Sequence, residues 1–139
     1  MNRNGLLRVL TMMAVVPALV ACENSATAYS LETSQHALVL VREQSYFWDR
    51  EVKQFVVASR LPHCQRKIRI YPDGTDLTEM EVYEAGDRLW ALHQGARWYL
   101  ASTEKCRVQD WDNKDGKPPG AKVGSFRLEG GVPAFIADQ

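Results

Sequence analysis

The stretch Arg88–Ser102, RLWALHQGARWYLAS, decides the fold. Gly95-Ala96 stands at its middle, with apolar and aromatic residues on both sides. Glycine in the first place of a two-residue loop is the Gly-X form of a type II′ turn, whose twist suits two antiparallel strands. That turn fixes a register in which His93 opposes Trp98, Leu92 opposes Tyr99 and Trp90 opposes Ala101. Both faces carry apolar groups, so this hairpin is expected at the centre of a sheet.

Working outward, the same alternation recurs. Arg66–Tyr71 (RKIRIY) sets Ile68 and Ile70 on one face, and Glu79–Tyr83 (EMEVY) sets Met80 and Val82 inward. Asp73-Gly74-Thr75-Asp76 between them is turn chemistry. Folding the two segments back about Thr75 predicts Arg69 opposite Glu81, a favourable cross-strand pair. Further upstream, His36–Val41 reads as a buried strand running on toward Tyr46. The aromatic patch Tyr46-Phe47-Trp48 then meets a charged break, Asp49-Arg50-Glu51. In residues 52–61, Val52, Phe55, Val56 and Ser59 have helical spacing, but the Phe-Val-Val centre prefers strand, and strand is expected. Downstream, Glu104–Val108 reads as extended and Asp110–Gly120 as a breaker-rich loop. Val123–Leu128 and Val132–Ile136 flank Gly130-Gly131, a second hairpin signal. Many short strands with regular turns predict an all-β fold, a small antiparallel meander forming a barrel or a sandwich.

The 139 residues carry 17 basic and 17 acidic side chains. So balanced a charge argues against a nucleic-acid partner. The N-terminus has its own organisation. Arg3 and Arg8 precede a mainly apolar run, Val9–Val20, which is too short for a permanent membrane helix of roughly 20 residues. It ends in Leu19-Val20-Ala21-Cys22. A soluble secretory signal would need a small residue where Leu19 stands. The pattern resembles the lipobox of bacterial lipoprotein precursors, and the chain as a whole resembles small uncharacterised Gram-negative envelope lipoproteins.

The resemblance implies a lipoprotein signal peptide over residues 1–21 and a lipid anchor on Cys22. The anchor would comprise a thioether-linked diacylglycerol and an N-acyl chain such as palmitate. Glu23 is not the aspartate that usually retains such proteins in the inner membrane. The outer membrane, facing the periplasm, is therefore favoured over the inner. The small polar residues 22–35 are expected to be a lipidated flexible tether spanning about 20 Å, and residues 36–139 a β-rich domain. With Cys22 taken by lipid, Cys64 and Cys106 form an even pair in an oxidising compartment, so a disulfide is expected. It would close a loop of about 43 residues and contribute roughly 4 kcal/mol on the chain-entropy model.

The remaining motifs carry little chemistry. Asp110–Gly116 has the outline of a calcium loop, but Lys114 stands where an oxygen ligand is needed and Ala121 where a glutamate is. Cys64, Cys106 and His63 lack zinc spacing, so neither a metal nor another cofactor is expected. No nucleophile elbow, P-loop or zinc-protease motif occurs. Glu79, Glu81 and Glu84 could supply paired carboxylates, and His93 a base, for an envelope hydrolase. A solvated strand face and a packed histidine explain them more simply, and no catalytic residue is assigned. Arg60, Arg66, Lys67 and Arg69, with His63, form a basic stretch that could meet an anionic partner, unless the acidic segment after it pairs with it internally. Trp48, Trp90, Trp98 and Trp111 could stack on sugar rings or fill the core. The expectation is a non-enzymatic lipid-anchored protein presenting a small disulfide-stapled domain to a periplasmic or outer-membrane partner. The alternative is a tethered ligand-binding or inhibitor module, for example against lysozyme-type enzymes.

Overall fold

Alternating burial runs along residues 24–30, 38–43 and 52–58 of the computed structural model, which describes residues 23–139. The expected signal segment and Cys22 lie outside the described residues. Ten strands follow in order: β1 (Asn24–Ser30), β2 (His36–Glu43), β3 (Val52–Arg60), β4 (Cys64–Asp73), β5 (Met80–Gly86), β6 (Leu89–Gln94), β7 (Arg97–Ser102), β8 (Arg107–Asp110), β9 (Lys122–Glu129) and β10 (Val132–Ala137). They form two antiparallel sheets, β1-β2-β3-β4 and β10-β9-β5-β6-β7-β8, stacked as a sandwich. The all-β class expected from the sequence is the class observed. Among the described residues no helix is long and apolar enough to cross a membrane.

The central hairpin has the register its turn dictates, with His93 opposite Trp98, Leu92 opposite Tyr99 and Trp90 opposite Ala101. Gly95 has φ 59° and Ala96 does not have positive φ, as a type II′ loop requires. Gly130 and Gly131 both have positive φ, 57° and 78°, the type I′ pattern, and join β9 to β10. Residues 52–60 form a strand, with Val52, Gln54, Val56 and Ala58 all buried.

Four expectations are corrected. First, β4 and β5 do not pair. Arg69 lies opposite Phe55 in the four-stranded sheet, whereas Glu81 lies between His93 and Ser125 in the other. The link between them crosses from sheet to sheet because Leu77 is drawn into the core. Asp73 also holds that link. Its carboxylate accepts the N–H of Gly74 and both the N–H and hydroxyl of Thr78. Second, half of the expected tether is strand β1, paired along its length with β2. Small side chains suit an edge strand, and inward-facing Tyr29 stacks on Phe135 of β10 at 4.3 Å. Third, Thr103–Cys106 is a turn, and β8 begins only at Arg107. Fourth, β2 ends at Glu43. The chain then leaves the sheet at Gln44, whose side chain binds the carbonyls of Phe47 and Asp49.

The core lies between the sheets. Leu38, Leu40, Val56 and Ala58 come from one side, and Met80, Val82, Leu92, Tyr99 and Phe126 from the other. Each large apolar side chain so buried contributes roughly 1.5–3 kcal/mol. Two polar pairs bridge the interior. Gln54 and Gln94 exchange hydrogen bonds between the sheets at 2.8 and 3.1 Å, and His36 Nε2 lies 2.7 Å from Thr103 Oγ1.

Gly124 sits where β9 shifts register against β5. A Cβ there would lie 2.4 Å from the Ile136 carbonyl oxygen and 2.6 Å from the Phe135 ring, at φ 156°. Gly124→Ala is therefore expected to destabilise by about 1–3 kcal/mol, seen as a lower urea midpoint with an unchanged slope. An unaltered midpoint would show that the β9–β10 ribbon moves aside freely.

Candidate functional site

The four-stranded sheet has two distinct ends, and its strand directions assign the sequence-predicted residues to them. Residues Ser30, His36, Arg60 and Cys64 mark one end, and Asn24, Glu43, Val52 and Asp73 the other.

At the first end Cys64 is bonded to Cys106, with a Cα–Cα distance of 6.0 Å. The bond ties β4 to the turn between β7 and β8, across the two sheets. Arg60 joins the same tie, with Nε donating to the Thr103 carbonyl at 3.1 Å and its guanidinium 3.7 Å from the Glu104 carboxylate. Arg88 also pairs with Glu104.

The basic stretch is thus divided. Arg60 is bound within the fold. Lys67 pairs with Glu43 and lies over the Phe55 ring at 4.2 Å. Arg66 and Arg69 are exposed on edge strand β4 and make no ion pair among the described residues. The acidic segment after the stretch does not neutralise it, because Glu81 belongs to the opposite sheet and Glu79 directly precedes its strand β5. Glu79 instead accepts the Ser125 hydroxyl at 2.7 Å.

The outer face of the six-stranded sheet carries an aromatic and ionic cluster. The His93 ring stacks on Trp98, centroids 4.1 Å apart, and Trp98 meets Tyr83 and Trp111 at 5.7 Å each. One oxygen of Glu81 accepts the Tyr83 hydroxyl at 2.8 Å and lies 3.0 Å from His93 Nδ1; the other is 3.5 Å from Lys122 Nζ. The His93 hydrogen bond holds the Glu81 carboxyl below its ordinary range, against burial and helped by Tyr83 and Lys122. Burial, and then the Glu81 carboxylate, push the Tyr83 phenol up to about 12. A carboxylate engaged by three donors is a weak base. No hydroxyl or thiol among the described residues hydrogen-bonds His93 Nε2, and the one side-chain hydrogen-bond partner of the ring among them is Glu81. Trp98 is 8% exposed and serves as packing more than as a sugar platform.

Residues 111–120 form a loop after β8 in which the Asn113 amide donates to the Lys117 carbonyl at 2.8 Å. Among the described residues no group of three His, Cys, Asp or Glu side chains could hold a metal ion. A depression of about 370 Å³ lined by Leu89, Leu100, Ser102, Glu104, Lys105 and Arg107 opens beside the disulfide end.

The other end of the sheet was not foreseen from sequence. Glu23 forms two backbone links to Gln44: its N–H donates to Gln44 Oε1 and its carbonyl accepts the Gln44 N–H, both at 2.8 Å. Arg42, with 1% of its side chain exposed, donates to Asp73 at 2.6 Å and to the carbonyls of Gly74 and Thr75. Neither Gln44 nor Arg42 stood out in the sequence, since a polar residue at the end of an apolar strand reads as solvated. The chain matches no protein-family model, no curated protein and no solved structure.

Proposed function

We propose that this chain is a non-enzymatic, lipid-anchored protein of the bacterial envelope, held at the periplasmic face of the outer membrane through acyl chains on Cys22. The observation that carries the proposal is the junction at residue 22. The tripartite leader ends in Leu19-Val20-Ala21-Cys22, and one residue later the chain is hydrogen-bonded into the edge of a sandwich. Two or three acyl chains hold stably where one is marginal. The disulfide between the two other cysteines suits an oxidising compartment.

On this reading the anchor lies at one end of the four-stranded sheet and the disulfide at the far end. The surface presented to the periplasm therefore includes exposed Arg66 on edge strand β4. Arg66 and Arg69, free of ion pairs among the described residues, favour an envelope partner with an acidic face or an anionic wall polymer.

The test is metabolic labelling with palmitate, followed by membrane fractionation. Label in the wild-type chain, in the outer-membrane fraction and abolished by Cys22→Ser, is expected. An unlabelled wild-type chain would refute the anchor, and label confined to the inner membrane would refute the assignment of membrane.

A further inference from the structure

Tyr46, Phe47 and Trp48 are three consecutive aromatic residues on the loop between β2 and β3. Their exposures are 56%, 53% and 63%. Large apolar groups left this open need an explanation when they are contiguous. The rings are organised. Tyr46 and Trp48 stack at 4.8 Å with 9° between their planes, and Phe47 meets Trp48 edge-on at 4.8 Å.

The loop beneath them is well tied. Asp49 Oδ2 accepts the Tyr46 N–H, and the Asp49 N–H donates to the Tyr46 carbonyl, both at 3.0 Å. The buried Gln44 side chain donates to the carbonyls of Phe47 and Asp49. That same side chain accepts the N–H of Glu23, the residue that follows Cys22. A single glutamine therefore fixes the aromatic loop to the chain immediately beyond the lipobox cysteine.

The geometry points to a membrane-interface site: Tyr46, Phe47 and Trp48 seat in the headgroup layer of the bilayer that holds the Cys22 acyl chains. This inference rests on the proposed anchor, and it adds a second contact that sets the orientation of the domain. Aromatic rings with a polar edge favour the headgroup level, where one side is apolar and the other wet. The occupant follows from position, because Cys22 is one peptide unit, about 3.8 Å between Cα atoms, from Glu23. Acyl chains attached there bring the membrane to this end of the sheet. The neighbouring charges are Asp49, whose carboxylate accepts the Tyr46 N–H, and Arg50 and Glu51, both exposed beside it.

The experiment uses the purified native chain, incorporated in vesicles of phosphatidylethanolamine and phosphatidylglycerol. A second set of vesicles contains lipids brominated on the acyl chain. The fluorescence difference between the wild type and Trp48→Phe isolates Trp48, whose exposure makes that substitution harmless to folding. Intact mass of the Cys22 peptide is taken from the same samples.

Acylated Cys22 together with at least a twofold quenching of the Trp48 signal by brominated lipid is the expected result. Acylated Cys22 with Trp48 untouched by brominated lipid overturns the interface site and leaves the anchor standing. In that case acrylamide distinguishes a ring in water, which it quenches, from one covered by protein, which it does not. Cys22 without acyl chains overturns the anchor and this inference together.

Discussion

Asp73→Ala is expected to lower stability by about 3–5 kcal/mol, the cost of stranding a buried charge. Arg42 is almost fully buried, and Asp73 is its one close carboxylate at 2.6 Å. The other contacts of Arg42 Nη2 are carbonyls, Gly74 at 2.8 Å and Thr75 at 3.2 Å. Its Nε makes no hydrogen bond, and Glu23 is 3.6 Å away. Removing Asp73 therefore leaves the buried guanidinium with no hydrogen-bonded carboxylate, its remaining counter-charge being Glu23 at 3.6 Å from Nε. Thr78 loses two hydrogen bonds as well, and with them the crossover that carries Leu77 into the core.

The pH dependence gives an independent reading. Burial alone would raise the Asp73 carboxyl, but hydrogen bonds from Thr78, Arg42 and Gly74 outweigh it and hold it below its ordinary range. A carboxyl lowered on folding contributes its full stability above its unfolded value of about 3.9. That contribution is lost as pH falls through the folded value. The wild type should therefore weaken with acid more steeply below about pH 4 than Asp73→Ala. Urea unfolding at pH 7 and at pH 3 checks both statements. A loss under 1 kcal/mol at pH 7 would mean that Glu23 or solvent replaces Asp73.

The second large effect belongs to the disulfide. Replacing Cys64 and Cys106 together by serine is expected to cost roughly 4 kcal/mol on the chain-entropy model. For a domain of this size that lowers Tm by about 10–20 °C. The bond also anchors a particular region. Thr103, in the turn that carries Cys106, receives Arg60 on its carbonyl and lies against buried His36 on its hydroxyl. Exchange of amide hydrogens should accelerate first around Thr103 and along β8, before the β6–β7 hairpin responds. Scanning calorimetry with and without reductant measures the shift. A change below about 3 °C would show that the side-chain contacts around Thr103 suffice.

The contrast between those regions explains what the sequence made legible. The β6–β7 and β9–β10 hairpins were readable because their turns are local: a glycine pair, or a glycine in first place, determines the loop and hence the register. The Cys64–Cys106 bond was readable by count once Cys22 was assigned to lipid. The partner of Glu81 was not readable. Alternation in EMEVY gives the inward face and says nothing about which strand lies alongside. That choice depends on Leu77 packing and on the Asp73–Thr78 contacts, both of which exist only in the assembled fold. Strand β1 was missed for a related reason. Its Ala, Ser and Thr residues resemble a linker, and only Tyr29 meeting Phe135 shows that the segment has a face. In the candidate site, His93 beside Trp98 followed from the turn. The clamp formed by Gln44 did not, because its partners are backbone groups.

That clamp makes the central claim measurable. If residues 22–35 were a free tether, the domain would float about 20 Å from the lipid. With β1 beginning at Asn24, the proposed anchor at Cys22 would set the sandwich directly on the headgroups. Neutron reflectometry of the native chain in a supported bilayer measures this spacing directly. A protein layer contiguous with the headgroups, with no water-filled layer between, is the expected result. A solvent gap of tether dimensions, or a layer washed away by buffer, would contradict the account.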